Sequence, residues 1–484
     1  MEIKIASIKL GLHKRGKRAK VGSDPRRVKA LTHWGSDPLA LHDLKNLSNF
    51  QILVFTDIKK TPIVEDESLF RSLKQNKSTT KEFLMNNKSI GREMLICQCL
   101  SLLPTEDFDC PLIDYGNYKL STKSLLRIFV SAQLDKWSSY AHMEEKLRAY
   151  PKLCKELDIK DISGSQLSRR INDLPTEWVQ KIFAKVVQKI KQLTDTCKGL
   201  PSGIGKLSIV DSTEIKLPER LCDWAYISKD YNAVKMHTRL SVVSPNVAFP
   251  DKILPSTGTV SDSESSDALI EENDTTYVMD RAYPSKKNLM DWQKREISFV
   301  VRIKKNLRLY TLQEFKPTHP SVIHDAKVLY GLSEIPIRYI EFLDEKGRSY
   351  RILTTRFDLT DLQVMEIYRN RWIIELFFKW IKQHLKLTKI WSTKPQGIWN
   401  QMFLALIAFG LSLIIKLQSG STKTPWEFFR LLQTFLFHTV SSFYKELHRK
   451  KKRKSKGRQK VPIPLPKVMP SFGTVAMVKE KIKN

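Results

Sequence analysis

The chain has 484 residues, 41% of them hydrophobic, enough to bury a sizeable core and to build roughly two to four structural units. Lys and Arg number 82 against 51 Asp and Glu, a formal net charge of +31, which excludes an acidic solvating chain and makes nucleic acid the default partner. The six cysteines, Cys97, Cys99, Cys110, Cys154, Cys197 and Cys222, form no CxxC pair, which argues against a zinc finger and predicts reduced, mostly buried thiols of the cytoplasm.

Residues 1–80 mix basic clusters (His13 to Lys20, Arg26 to Lys29) with Ser, Asn and Pro, so we expect a weakly ordered segment there. No long apolar stretch with a small-residue cleavage site opens the chain, and export is not expected. From 81 to 200 the apolar residues recur three or four apart, as in Ser124 to Leu134 and Trp178 to Ile190, predicting an all-helical domain. Within it, Ile162-Ser163-Gly164-Ser165-Gln166-Leu167-Ser168-Arg169-Arg170-Ile171 offers a Ser cap and a short helix. Exposed Gln166, Arg169 and Arg170 would suit base edges and phosphates; an ordinary solvated helix would carry the same residues.

Past Gly199 to Gly205 the pattern turns to strands. Leu207 to Val210 runs into Asp211, Val234 to Val243 and Val247 to Leu254 form a hairpin, and Tyr277 to Met279 runs into Asp280. A helix (Lys286 to Arg295) and a strand (Ile297 to Ile303) follow. This predicts a mixed α/β core over 201–420, interrupted at 305–357 by a β-rich insertion with the turn Asp344-Glu345-Lys346-Gly347. Helical periodicity resumes at Asp361, breaks near Lys394 to Gly397 and continues to about Leu417. Its apolar run, Met402 to Ile415, is short for a bilayer and suits a buried helix. Residues 421–484 read as a C-terminal helix and a basic tail carrying HRKKKRKSKGRQK.

Three acidic residues stand out. On a helix over 367–382, Tyr368, Arg371, Glu375 and Lys382 fall within about 60° of one another, a single polar stripe opposite Ile373, Ile374, Phe377, Phe378, Ile381 and Leu385. Arg371 and Glu375 alone would be an ordinary surface pair, but a carboxylate flanked by two cations and a phenol suits a metal-bound phosphate. If the strands ending in Asp211 and Asp280 are neighbours, both carboxylates sit at one sheet edge, and the helix can bring Glu375 across it. Clustered anions need a cation, and hard oxygen ligands favour two Mg²⁺ or Mn²⁺ ions for in-line phosphoryl transfer.

The ordered set Asp211-Ser212-Thr213, Asp280-Arg281-Ala282-Tyr283 and Tyr368-x2-Arg371-x3-Glu375-x6-Lys382 resembles the DDE transposases of insertion sequence family four, the last piece being their YREK signature. The resemblance implies an RNase H-like mixed sheet flanked by helices, with a β-rich insertion and a helical N-terminal DNA-binding domain. It implies Asp211, Asp280 and Glu375 as catalytic metal ligands. Tyr368, Arg371 and Lys382 would hold phosphates, with Arg281 and Tyr283 lining the same site. It further implies a bacterial, nucleoid-associated enzyme that moves DNA by cut and paste, as a homodimer on double-stranded terminal inverted repeats, through DNA hairpins. Some members stack a flipped base on an insertion Trp, and none occurs between Trp292 and Trp372 here; Tyr339, Phe342 or Tyr350 could take that part. His237, in Lys235-Met236-His237, is given no role. Two other readings are a catalytically silent DNA-binding derivative and an RNase H-type nuclease, both without strand joining.

Overall fold

Seven helices open the described part of the chain, and several start where a short polar side chain can cap them. They are α1 (Leu95–Ser101), α2 (Pro111–Asp114), α3 (Thr122–Leu134), α4 (Tyr140–Ala149), α5 (Pro151–Glu156), α6 (Gly164–Asp173) and α7 (Thr176–Thr194). Ser121 and Ser139 accept from the backbone of Ser124 and His142 to start α3 and α4, and Pro151 begins α5. The computed structural model describes residues 93–106, 111–195, 200, 203–218, 222–228, 231–244, 247–331, 333–384 and 389–449. The segment expected to be weakly ordered, 1–80, and nearly all of the basic run after Arg449 lie outside the described residues.

The sheet follows as β1 (Lys206–Leu217), β2 (Tyr226–Ser228), β3 (Tyr231–Ser244), β4 (Val247–Thr257), helix α8 (Asp262–Leu269), β5 (Thr275–Met279), helix α9 (Lys286–Lys294) and β6 (Ser298–Arg302). Then come β7 (Leu309–Phe315), β8 (Val322–Tyr330), β9 (Ile337–Leu343) and β10 (Ser349–Thr354). The strand order is β2-β3-β1-β5-β6-β10-β9-β8-β7, with β4 paired to β3. β1, β3 and β4 form an antiparallel meander, while β1 pairs with β5 and β5 with β6 in parallel. This is the RNase H-like mixed sheet flanked by helices that the resemblance implies. The strands of the 305–357 stretch continue that same sheet, because β10 pairs with β6.

β1 is buried on both faces. Leu207, Ile209, Ile215 and Leu217 join a core shared with the N-terminal helices, while Val210 joins a second core with Tyr277, Met279, Trp292 and Phe299. Consecutive strand residues face opposite sides, so one strand separates the two cores. The helices before the sheet therefore share their core with its first strands.

The C-terminal helices are α10 (Asp361–Arg369), α11 (Trp372–His384), α12 (Pro395–Gln418), α13 (Pro425–Phe435) and α14 (Val440–Leu447). The stretch expected to form one helix from Asp361 breaks at Asn370–Arg371, where Arg371 N donates to Tyr368 O (3.0 Å) and Ile374 N to Arg371 O (3.2 Å). These three-residue spacings form a tight turn that redirects the chain. Helix α12, 24 residues, is longer than its apolar run suggests and meets the length and apolarity of a membrane span, yet it is buried inside the protein. It packs on α3, α6 and α7. Among the described residues, Cys97, Cys99, Cys154 and Cys222 are free thiols.

Close approach of α12 to α7 depends on Gly410, where a Cβ would stand 2.5 Å from Val186 Cγ1. Gly410→Ala gains about 1 kcal/mol of helix propensity, but overpacking against a stiff β-branched neighbour costs about 1–3 kcal/mol. We expect a lower unfolding midpoint for Gly410→Ala, and recovery in Gly410→Ala/Val186→Ala. A midpoint raised by the single substitution would refute this packing account.

Candidate active site

The parallel pairing of β1 with β5 ends at Val210↔Met279. β1 runs on, paired with β3 through Asp211↔Thr238 and beyond. Asp211 therefore lies in mid-strand and not, as the sequence suggested, at a strand end. Asp280 follows directly on the last residue of β5. The next register position after Val210↔Met279 would be this pair of aspartates, on adjacent strands about 4.8 Å apart. The sheet thus sets them side by side where one strand stops.

Helix α11 packs on β1, and its Ile374, Phe377, Phe378 and Ile381 are buried. Its first turn carries Glu375, and the tight turn before it carries Arg371. One guanidinium spans two of the acids: Arg371 Nη1 donates to Asp211 Oδ2 at 3.1 Å and Nη2 to Glu375 Oε1 at 2.5 Å. Tyr368, buried at the end of α10, points its hydroxyl at Asp280 Oδ1, 3.4 Å away. The structure thus brings together Asp211, Asp280, Glu375, Tyr368 and Arg371. Lys382 sits further along α11, half-buried, with Glu214 as its nearest charged influence. Seven helical residues and three strand residues both advance about 10 Å, so α11 tracks β1.

The electrostatics follow from this crowding. Burial pushes the Asp211 carboxyl up to about 6, the Ser212 N–H and Arg371 pull it down, and the charges of Asp280 and Glu375 push it up again. For Arg371, burial opposes the charge, but Tyr368, Glu375 and Asp211 outweigh it and hold the guanidinium ionised. Burial lowers Lys382, with Glu214 acting against the shift. Among the described residues no three His, Cys, Asp or Glu side chains stand close enough to close around a metal ion; the guanidinium lies between two of the acids. The donor set nevertheless fits a hard divalent cation, since one guanidinium serves two of the three carboxylates, the third meets only a neutral phenol among the described residues, and burial destabilises Asp211 in its charged form.

Several expected contact residues lie elsewhere. Arg170 is buried and not exposed. Its Nη2 reaches Asp114 Oδ1 at 2.7 Å, and its Nη1 reaches Ile113 O at 3.2 Å. Gln166 folds back on its own helix, its Oε1 accepting from Ser163 N at 3.1 Å in a capping box. Arg169 is exposed, as is Arg281. Tyr283 is fully buried, its hydroxyl held protonated by burial and by the nearby charges of Asp211 and Asp262, with Ser212 beside it. Of the aromatic candidates, Tyr339 and Phe342 are buried and cannot offer a face to a base. Tyr350 is half-buried, stacked on Phe342 with Arg302 over its ring at 4.4 Å.

Sequence reasoning missed the support on the other face of β1. Ser212 Oγ donates to Asp262 Oδ1 at 2.7 Å, and buried His237, opposite Ser212 in the β1–β3 register, stands 3.4 Å from the same oxygen. Ser265 and Ser256 contact the two ring nitrogens of His237, each at 3.0 Å. Despite burial, these hydrogen bonds and Lys235 hold the Asp262 carboxyl below its usual range. The available signal was parity: once β1 and β3 pair, Ser212 and His237 must share a face.

Because the folded state raises the pKa of Asp211 from 3.8 to about 6, the native protein binds the extra proton. Stability from this group is present below the unfolded value and is lost as pH rises through the folded one. In chelator-treated protein, Asp211→Asn should therefore be more stable than the parent above pH 6, by up to about 3 kcal/mol, with the difference vanishing below the unfolded pKa. Thermal melts across that range test it, and a destabilised Asn variant at neutral pH would contradict the assignment.

Residues 203–411 match the family described as Transposase DDE domain. The chain is 25% identical over 296 residues to a probable transposase for insertion sequence element IS5377 of Geobacillus stearothermophilus, covering 60% of this chain and 75% of that one. It is 22% identical over 348 residues to a putative transposase for insertion sequence element IS4SA of Synechocystis sp., covering 71% and 93%. A third relative, the putative transposase y4zB of Sinorhizobium fredii, is 28% identical over 219 residues, covering 43% of this chain and 60% of its own length. The RNase H-like sheet, the matched domain and these relatives agree: residues 203–411 carry a transposase DDE domain, and the chain is similar to transposases of insertion sequences.

Proposed function

We propose that the protein cuts DNA at the terminal inverted repeats of its element and joins the freed ends to target DNA, a cut-and-paste reaction carried out at Asp211, Asp280 and Glu375. One observation carries this reading: a single guanidinium bridges Asp211 and Glu375, while the phenol of Tyr368 reaches Asp280. Three acids drawn from a mid-strand position, a strand end and a helix are so arranged where β5 stops beside β1.

Asp211, Asp280 and Glu375 would hold Mg²⁺ or Mn²⁺, in two ions, which when bound polarise phosphoryl oxygens and lower the pKa of the attacking hydroxyl. Arg371 keeps the acids apart from full mutual repulsion, and in the presence of DNA its buried, permanently charged guanidinium is placed to receive a phosphate instead of Glu375. Tyr368 is a neutral donor beside Asp280, since burial and the Asp280 charge both hold its hydroxyl protonated. Lys382, farther along α11, would take the next phosphate, and exposed Arg281 a flanking one. The family four assignment, the hairpin step and a homodimer on paired ends belong to this same reading.

Supercoiled plasmid bearing the element's own ends, incubated with Mg²⁺, should yield excised and joined products. Glu375→Gln should bind the ends as well as the parent and lose at least about 10³-fold in cleavage rate, roughly 4 kcal/mol of barrier. Undiminished cutting by that variant would remove Glu375 from the site and, with it, the proposed chemistry.

A further inference from the structure

The most exposed large apolar side chains among the described residues lie together in sequence, on α2 and the loop after it: Leu112 at 89%, Tyr115 at 83% and Tyr118 at 94% exposure. Solvated aromatic rings are costly in a free-standing protein, and clusters of them mark contact surfaces. This one is also fixed in place. Asp114, between Leu112 and Tyr115, accepts from Thr122 N at 2.8 Å, from Thr122 Oγ1 at 2.6 Å and from Arg170 Nη2 at 2.7 Å. Arg170 also holds the Ile113 carbonyl, Asn117 Nδ2 donates to Tyr115 O at 3.2 Å, and Gly116 takes the positive φ of 75° that turns the chain. A buried arginine thus anchors the base of a segment that exposes two rings, Tyr115 and Tyr118, and the aliphatic Leu112.

The surroundings select the occupant. Lys119 and Lys123 are exposed on the same loop and the start of α3, and Arg169, the residue beside the anchoring Arg170, is exposed on α6. Rings interleaved with cations match a nucleic acid, whose bases offer π faces and whose backbone offers phosphates. An apolar protein partner would have no use for the flanking cations. Pre-ordering of the loop lowers the entropic cost of inserting it into DNA.

We infer that the Leu112–Tyr118 loop is a DNA-contacting element of the helical region, its tyrosines stacking on bases at a distorted step of the transposon end and Leu112 wedging beside them. This rests on the transposase reading above. It moves base contact from the α6 helix face to the loop that α6 clamps.

The test is equilibrium binding of the full chain to a labelled duplex carrying the element's terminus, with 2-aminopurine placed at successive positions. Tyr115→Ala/Tyr118→Ala should weaken binding by about 10-fold or more, leave the salt dependence unchanged and abolish the 2-aminopurine response seen with the parent. Tyr115→Phe/Tyr118→Phe should bind like the parent, because stacking needs the ring and not the hydroxyl. Lys119→Gln/Lys123→Gln should instead flatten the salt dependence. Equal affinity of the Ala pair and the parent would overturn the inference while leaving the transposase reading intact. So would a loss explained by dissociation of a dimer in sedimentation, which would make the loop a contact between copies of the chain. Failure of the parent itself to bind the terminus would remove both.

Discussion

The chain has to keep an ionised carboxylate inside a sheet beside two others, and the arrangement around Arg371 is its answer. Asp211 loses solvent because β1 continues past the end of β5 and is covered by α11. The desolvation cost of such a charge exceeds what any one neutral hydrogen bond returns. A guanidinium that reaches two acids at once lowers that cost. The break between α10 and α11 serves the same end. In an uninterrupted helix Tyr368, Arg371 and Glu375 would share one line, whereas the tight turn lets the phenol address Asp280 while the guanidinium addresses Asp211 and Glu375.

The support of Asp211 is two-sided. On one face stand Arg371 and Glu375; on the other, Ser212 bonds to Asp262, which His237 and Lys235 also approach. Ser212 is the hinge of the two sets, since its N–H donates to Asp211 Oδ1 at 2.8 Å and its hydroxyl to Asp262. Buried polar groups tied together in this way confine the strand and its carboxylate to one geometry.

Much of this was legible in the residues. The apolar run ending at Asp280, the β3–β4 hairpin and the last site helix were readable because period-two and helical patterns are local properties of the chain. The mid-strand position of Asp211 was not, since STEIKL mixes charges with branched residues and hides the continuation of β1. Strands β7 and β8 were blurred into one insertion because β7 is exposed on both faces and shows no alternation. Arg170 was read as a surface cation because its anchor, Asp114, lies 56 positions upstream. No window of sequence reveals such a pairing. Tyr368, Arg371 and Glu375 stand close together through a broken helix, which periodicity alone could not distinguish from a straight one.

The placement of α12 bears on biogenesis. This helix, near the end of the described chain, supplies the apolar surface against which α3, α6 and α7 pack, although those helices are translated more than two hundred residues earlier. At roughly 5–20 residues per second, the ribosome exposes their sticky faces for many seconds before codon 418 is decoded. The nascent helices therefore find their cover only once α12 has left the ribosome. A message cut short before α12 would encode helices with nothing to cover them, material for chaperones and proteases instead of a partly competent protein.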